Sequence, residues 1–311
     1  VSDTSNVLAT NWQTYEFQTG SFPDYPKLGL HQDAYFVATN DVGANDQFPA
    51  VYAFDRENML SGGAVRPFQK FAIARDLGSF PIVQPADLDG PAPPPGTPQY
   101  FARRVDEEAS GIGDPLTDYI EVFEFNVDWD QPSNTVFQTV DKVLVNDFDS
   151  TVCDFAPDCI PQPGGPGLDS LADVGIMYRL QYRHFDDYET LVGSFGVALD
   201  GLDHAGVHWF ELRKENSADV WRTEQEGDIN YDALHRWNSS PAMDQYGNIA
   251  VAYNVSGLTT SPGIRYTGRL ADDPPGVMPQ GEHTLITGRG YVDAAGNRWG
   301  DYSTLTVDPV D

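Results

Sequence analysis

The sequence predicts an all-β protein, a β-propeller of four-stranded antiparallel blades with about four full blades and a partial closing blade. Three observations carry this. Of 311 residues, 29 are Gly and 23 are Pro, a density of chain-reversing residues suited to many turns between short strands. No stretch of a dozen residues repeats apolar positions at the helical period without a Gly, Pro or Asp-rich break. Finally, a group of four strand-like segments recurs along the chain.

The recurrence is clearest at Ala50-Val51-Tyr52-Ala53-Phe54-Asp55-Arg56, Tyr119-Ile120-Glu121-Val122-Phe123-Glu124-Phe125, Val207-His208-Trp209-Phe210-Glu211-Leu212-Arg213 and Gly263-Ile264-Arg265-Tyr266-Thr267-Gly268-Arg269. Each mixes aromatic or β-branched residues with polar ones in partial alternation, as half-buried strands do. A further strand candidate follows each, at 66–73, 135–145, 220–226 and 282–287. Two precede each: the nearer at 33–39, 99–105, 190–199 and 248–253, the farther at 27–30, 81–86, 177–182 and 239–243. The units therefore fall near residues 25–75, 80–146, 176–229 and 235–288 of a single domain, 1–311. Four-stranded units in series, with uneven loops, are the mark of propeller blades.

The ends continue the pattern. Asn297 to Asp308 repeats the order seen from Arg236 to Asp244: Arg-Trp, small and polar residues, then an apolar run ending in Asp. Residues 297–309 are therefore expected as the innermost strand of a closing blade and 11–19 as its outermost. Its middle strands are missing. Either the ring closes economically, or the chain is a fragment of a larger propeller.

Hydrophobic residues make up 40% of the chain and aromatics 12%, which excludes general disorder. No apolar run approaches the ~20 residues of a membrane span. With 47 acidic against 18 basic residues the net charge is −29, which excludes nucleic acid as a partner, since phosphate contacts need clustered Lys and Arg. The acids are either a solvated surface or a source of Ca²⁺ ligands. Cys153 and Cys159 cannot complete a four-cysteine zinc site and are not a CxxC pair. A local disulfide is expected, as suits a secreted or cell-surface protein; two free thiols are the alternative. The chain opens Val1-Ser2-Asp3, with no basic start or apolar signal core, so any export signal is expected to have been removed.

Asp24-Tyr25-Pro26-Lys27-Leu28-Gly29-Leu30, Ala53-Phe54-Asp55-Arg56, Ile176 to Arg183, Ile264 to Leu270 and Arg298-Trp299-Gly300-Asp301-Tyr302 together resemble a group of uncharacterised secreted bacterial β-propeller proteins, some loosely called sialidase-like. The stretches span nearly the whole chain. The resemblance implies export and bound calcium. It also implies a fragment, because members of the group continue at both ends.

In a propeller the innermost strands line a channel whose mouth is the usual site. By that geometry Tyr25, Lys27, His31, Arg179, Arg183, His184, His235, Arg236, Arg298, Asp301 and Tyr302 are expected to converge. Tyr25, Lys27, Arg179, Arg183, Arg236 and Arg298 are the candidates for holding a substrate, since arginine grips a carboxylate by two parallel hydrogen bonds. Asp301, Tyr302 and His235 are the catalytic candidates: a tyrosine beside a carboxylate serves as nucleophile in sialidases, and a Tyr or His abstracts a proton in a lyase. The competing reading is structural, with arginines packing between blades and Asp-Tyr capping a turn.

No Ser-x-Asp-x-Gly-x-Thr-Trp box is intact; residues 202–209 and Met243 to Asn248 echo it and are read as hairpins. Asp87, Asp89, Asp186 and Asp187 are the calcium candidates, with Asn146 to Asp149 a further acidic turn. His184, His204, His208 and His235 form no HExxH. Gly111-Ile112-Gly113 is expected in a loop, and 91–98 as a surface excursion. Two functions follow: an extracellular binding or scaffold module recognising a glycan or protein, or a glycoside hydrolase or polysaccharide lyase acting on an anionic sugar at the channel mouth.

Overall fold

A computed structural model describes the chain except for residues 3, 5, 7, 9, 10, 44–46, 74–81, 111–116, 200–202 and 309–311. The protein is nearly all-β. Sixteen strands are seen among the described residues, in four runs of four. The first run is β1 (Phe22–Leu30), β2 (Ala34–Val42), β3 (Gln47–Asp55) and β4 (Gln69–Ala72); the second is β5 (Gln84–Asp89), β6 (Gln99–Val105), β7 (Tyr119–Asn126) and β8 (Val136–Leu144). The third is β9 (Leu180–His184), β10 (Tyr188–Leu199), β11 (His204–Glu215) and β12 (Arg222–Ile229); the fourth is β13 (His235–Met243), β14 (Ile249–Gly257), β15 (Thr260–Arg269) and β16 (His283–Ile286). Within each run, consecutive strands pair antiparallel as a meander. Pro81, Gly111 to Gly113 and Leu202, used in the expectations above, lie outside the described residues.

The meanders meet along their first strands. β1 packs beside β5, β9 packs against β13, and β5 pairs with β9 in parallel from Ala86–Leu180 to Asp89–Arg183, joining two meanders into one eight-stranded sheet. Three apolar layers lie between successive meanders. Phe36, Phe101 and Phe125 fill the first, Tyr100, Leu180 and Phe210 the second, and Trp209, Met243 and Val251 the third. The β1–β5 approach is tight: a Cβ on Gly29 would lie 2.5 Å from the Ala86 carbonyl oxygen, so only glycine fits there. Met243 to Asn248 forms the β13–β14 turn, where the Asp244 carboxylate accepts the Tyr246 and Asn248 amides and Gly247 takes φ +83°.

Neither terminal segment is a regular strand. Residues 11–19 make an isolated bridge from Trp12 to Ser2, and Phe17 packs on Phe54 with centroids 4.6 Å apart. Residues 298–308 run irregularly beside β13. Their hold is individual: Asn238 and Asn254 each donate to the Trp299 carbonyl at 3.0 Å, and the Leu305 amide donates to Ser240 Oγ at 2.9 Å. The cause lies in β13, whose register breaks between Trp237 and Ser240, with Asn238 at φ 49°. A bulged edge offers no regular ladder to a further strand.

Residues 145–179 link the second and third meanders. This stretch contains the Cys153–Cys159 disulfide and a small Ile160–Leu168 bridge. It is tied to the C-terminal segment by Gln162 to the Val292 carbonyl and by the Asp169 amide to the Asn297 carbonyl.

Candidate functional site

Three distant parts of the chain meet at the beginning of the inner strands. β1 alternates, so that Tyr25, Lys27 and Gly29 turn inward while Pro26 and Leu28 are exposed. The C-terminal segment brings Arg298, Asp301 and Tyr302. The 145–179 linker brings Asp169 and Asp173, and Tyr178 just before β9.

The Tyr25 hydroxyl donates to the Asp301 carbonyl at 3.1 Å, and its ring lies 5.2 Å from that of Tyr302. Lys27 sits between them, with Nζ 3.7 Å from the Tyr25 centroid and 4.5 Å from that of Tyr302. It is only 2% exposed, and its Nζ has no hydrogen-bond partner among the described residues. Burial pulls its pKa down to about 8, against the pull of Asp301 in the other direction. Burial likewise pushes the Tyr25 hydroxyl well above its ordinary value, and the Asp301 charge adds to this. A cleft of 210 Å³ opens above, lined by Pro26, Lys27, Leu28, Tyr178, Tyr302 and Ser303 among others.

Arg298 lies outside this lining, beside Asp301. Half exposed, it lies 3.3 Å from the Asp301 carboxylate and 3.8 Å from that of Asp169. Burial holds the Asp169 carboxyl above its usual value despite the Leu171 amide and Arg298. Asp173 is also raised, first by burial and then by the Asp169 charge.

Of the nine residues named as substrate-binding or catalytic, five therefore meet: Tyr25, Lys27, Arg298, Asp301 and Tyr302. The other four have separate surroundings. Arg179 is clamped by Asp87 at 2.8 Å and Asp89 at 2.6 Å. Arg236, 1% exposed, donates to Glu282 and to Asp232 and the Leu234 carbonyl in the turn before β13. Arg179 and Arg236 are thus held by protein carboxylates and do not join Arg298 in a common grip. His235 Nδ1 accepts the Ala205 amide beside His204, and burial pulls its pKa down to about 4, so it stands neutral. Arg183 opens on a different cleft.

The acids chosen for calcium are also placed. Asp87 takes the Leu30 amide as well as Arg179, and Asp89 takes Gln181 as well as Arg179. Asp186 and Asp187 form the β9–β10 turn, their backbone carbonyls accepting from Asn216. Among the described residues, the acidic group with ligand atoms within 4.8 Å of one another is Glu107, Asp118 and Asp147 instead. Sequence reading missed Asp169 and Asp173. They lie in an irregular linker, where no periodicity marks which way a side chain points.

No protein-family model matches the chain, and no curated protein matches it. Solved structures of similar outline include the catalytic domain of the Coprinopsis cinerea GH62 alpha-L-arabinofuranosidase, at 8% identity over 86% of this chain and 71% of that one, with a TM-score of 0.36. The GH43 endo-arabinanase from Bacillus licheniformis matches at 9% identity over 78% and 72%, with a TM-score of 0.31.

Proposed function

We propose that the four meanders are blades of a β-propeller, and that the chain is an extracellular carbohydrate-binding module whose site is the Lys27–Tyr302 cleft. The observation that carries this is the Lys27 ammonium, buried beneath the cleft with no hydrogen-bond acceptor among the described residues. The two tyrosine rings offset only part of the cost of burying this ammonium, and a carboxylate brought by a ligand offsets the rest. The flanking rings of Tyr178 and Tyr302 offer apolar faces to a sugar, the Tyr302 hydroxyl offers hydrogen bonds, and Ser303 Oγ, which donates to the Asn238 carbonyl, offers an acceptor. The Cys153–Cys159 bond supports an oxidising compartment.

The test is calorimetric titration with oligouronides and with neutral oligosaccharides of equal length. Oligouronides are expected to bind more tightly, and Lys27→Met to weaken them at least tenfold while leaving neutral binding close to its starting value. Equal affinity of wild type and Lys27→Met for oligouronides would falsify the reading.

A hydrolase reading is favoured by one feature, the Asp169 and Asp301 carboxylates on either side of Arg298, with Asp169 raised by burial. A carboxyl group with raised proton affinity, set near a second carboxylate, suits the acid role. Reducing-end release from acidic glycans that falls at least a hundredfold in Asp169→Asn supports it. Absence of release from any acidic glycan removes it.

A further inference from the structure

β9 leads from the Lys27–Tyr302 cleft to a second one. Side chains alternate along a strand, so Arg179, Gln181 and Arg183 share a face, and Arg183 lies roughly 13 Å beyond Arg179 along the strand. There it lines a cleft of 650 Å³, with Asp89, Gly90, His184, Asp186 and Asp308 among its other walls.

Among the described residues five arginines are buried: Arg104, Arg179, Arg183, Arg236 and Arg269. Four of them donate to the protein. Arg104 reaches the Ala172 carbonyl, Arg179 reaches Asp87 and Asp89, Arg236 reaches Glu282 and Asp232, and Arg269 reaches the Asp273 carbonyl. The Arg183 guanidinium, in a residue only 5% exposed, has no hydrogen bond or ion pair with any described residue. In a chain of net charge −29, an arginine without an acceptor is conspicuous.

Its orientation is fixed on both sides. Gly90 lies against it at φ +77°, and a Cβ there would come within 2.8 Å of Nη1. The Phe185 ring lies 5.8 Å away and is itself stacked on Tyr188. Burial lowers the proton affinity of Arg183, yet a guanidinium stays charged in proteins. The result is a rigid, charged fork with its acceptor position open to the cleft.

The rest of the lining narrows the ligand. Asp186 stands on the wall, with Asp89 already engaged by Arg179 and Gln181. A simple anion meets the repulsion of this carboxylate, whereas a carboxylate carried among hydrogen-bond donors uses it as an acceptor. We infer that this cleft binds a small monocarboxylate whose remaining groups are hydrogen-bond donors, with the carboxylate forked on Arg183 and the donors on the acidic wall. Sugar acids and amino acids share this chemistry.

The full chain is titrated calorimetrically with glucuronate, serine and propionate. Glucuronate or serine is expected to bind and propionate to bind at least tenfold more weakly; whichever of the first two is tighter identifies the source. Arg183→Lys, which keeps the charge but loses the fork, is expected to weaken binding at least tenfold. Gly90→Ala, which crowds the guanidinium, is expected to do the same. No binding to wild type, propionate binding as tightly as the others, or wild-type affinity in Arg183→Lys each overturns the inference. The wild-type series decides alone where a variant does not fold.

Discussion

His208 is fully enclosed, yet it holds two carboxylates, with Nδ1 2.8 Å from Asp228 and Nε2 3.2 Å from Glu226. Burial alone would lower its pKa, but the two hydrogen-bonded acids outweigh burial and raise it above the ordinary imidazole value. A group bound more tightly to its proton in the folded state stabilises the fold below its unfolded pKa and loses that contribution as pH rises through the folded pKa. Thermal melts from pH 6 upward are therefore expected to fall as His208 deprotonates, and His208→Gln to flatten that slope. An unchanged slope in the variant assigns the dependence to other groups. Lys27 shows how far single residues were legible. A lysine in an inner-strand motif was visible as a candidate, but nothing in the sequence told that its ammonium would lie between two tyrosines contributed from opposite ends of the chain.

At the scale of elements, β5 and β9 explain why two readings of the same residues diverged. Asp87-x-Asp89 looks like a metal-binding turn, and Arg179-x-Gln181-x-Arg183 looks like a ligand grip. Period-two alternation does place each set on one face, but only the parallel register makes Arg179 the partner of Asp87 and Asp89. Pairing between strands this distant in sequence leaves no local trace. Asp89→Asn removes one charge from a pair whose arginine is 3% exposed; since Arg179 keeps Asp87, the expected cost is about 2 kcal/mol. Urea denaturation checks this, and a change below about 0.5 kcal/mol, the scatter of ordinary surface substitutions, shows that Asp87 suffices alone. The runs of four strands were legible because each carries its own aromatic and β-branched pattern. The terminal segments were not, since Arg-Trp followed by an apolar run occurs both in bulged β13 and in the irregular 298–308 stretch.

For the whole molecule, the decisive quantity is charge. With 47 acids against 18 bases, like charges repel one another across the surface and destabilise the compact state. Added salt shortens the Debye length from ~30 Å at about 0.01 M to ~3 Å at about 1 M. The melting temperature is therefore expected to rise by a few degrees over that range in sodium chloride. A fall would mean that the ion pairs, not the net charge, set the electrostatic balance.

The parallel β5–β9 seam has a mechanical consequence. In an antiparallel meander pulled from its two ends, the hydrogen bonds lie across the strands and open one after another, like a zip. The seam is loaded differently. Tension entering β5 from the N-terminal side and β9 from the C-terminal side slides one strand along the other, so its bonds share the load and must fail together. Stretched by its ends, the chain would shed its outer strands at low force and keep the joint between its two central meanders until last.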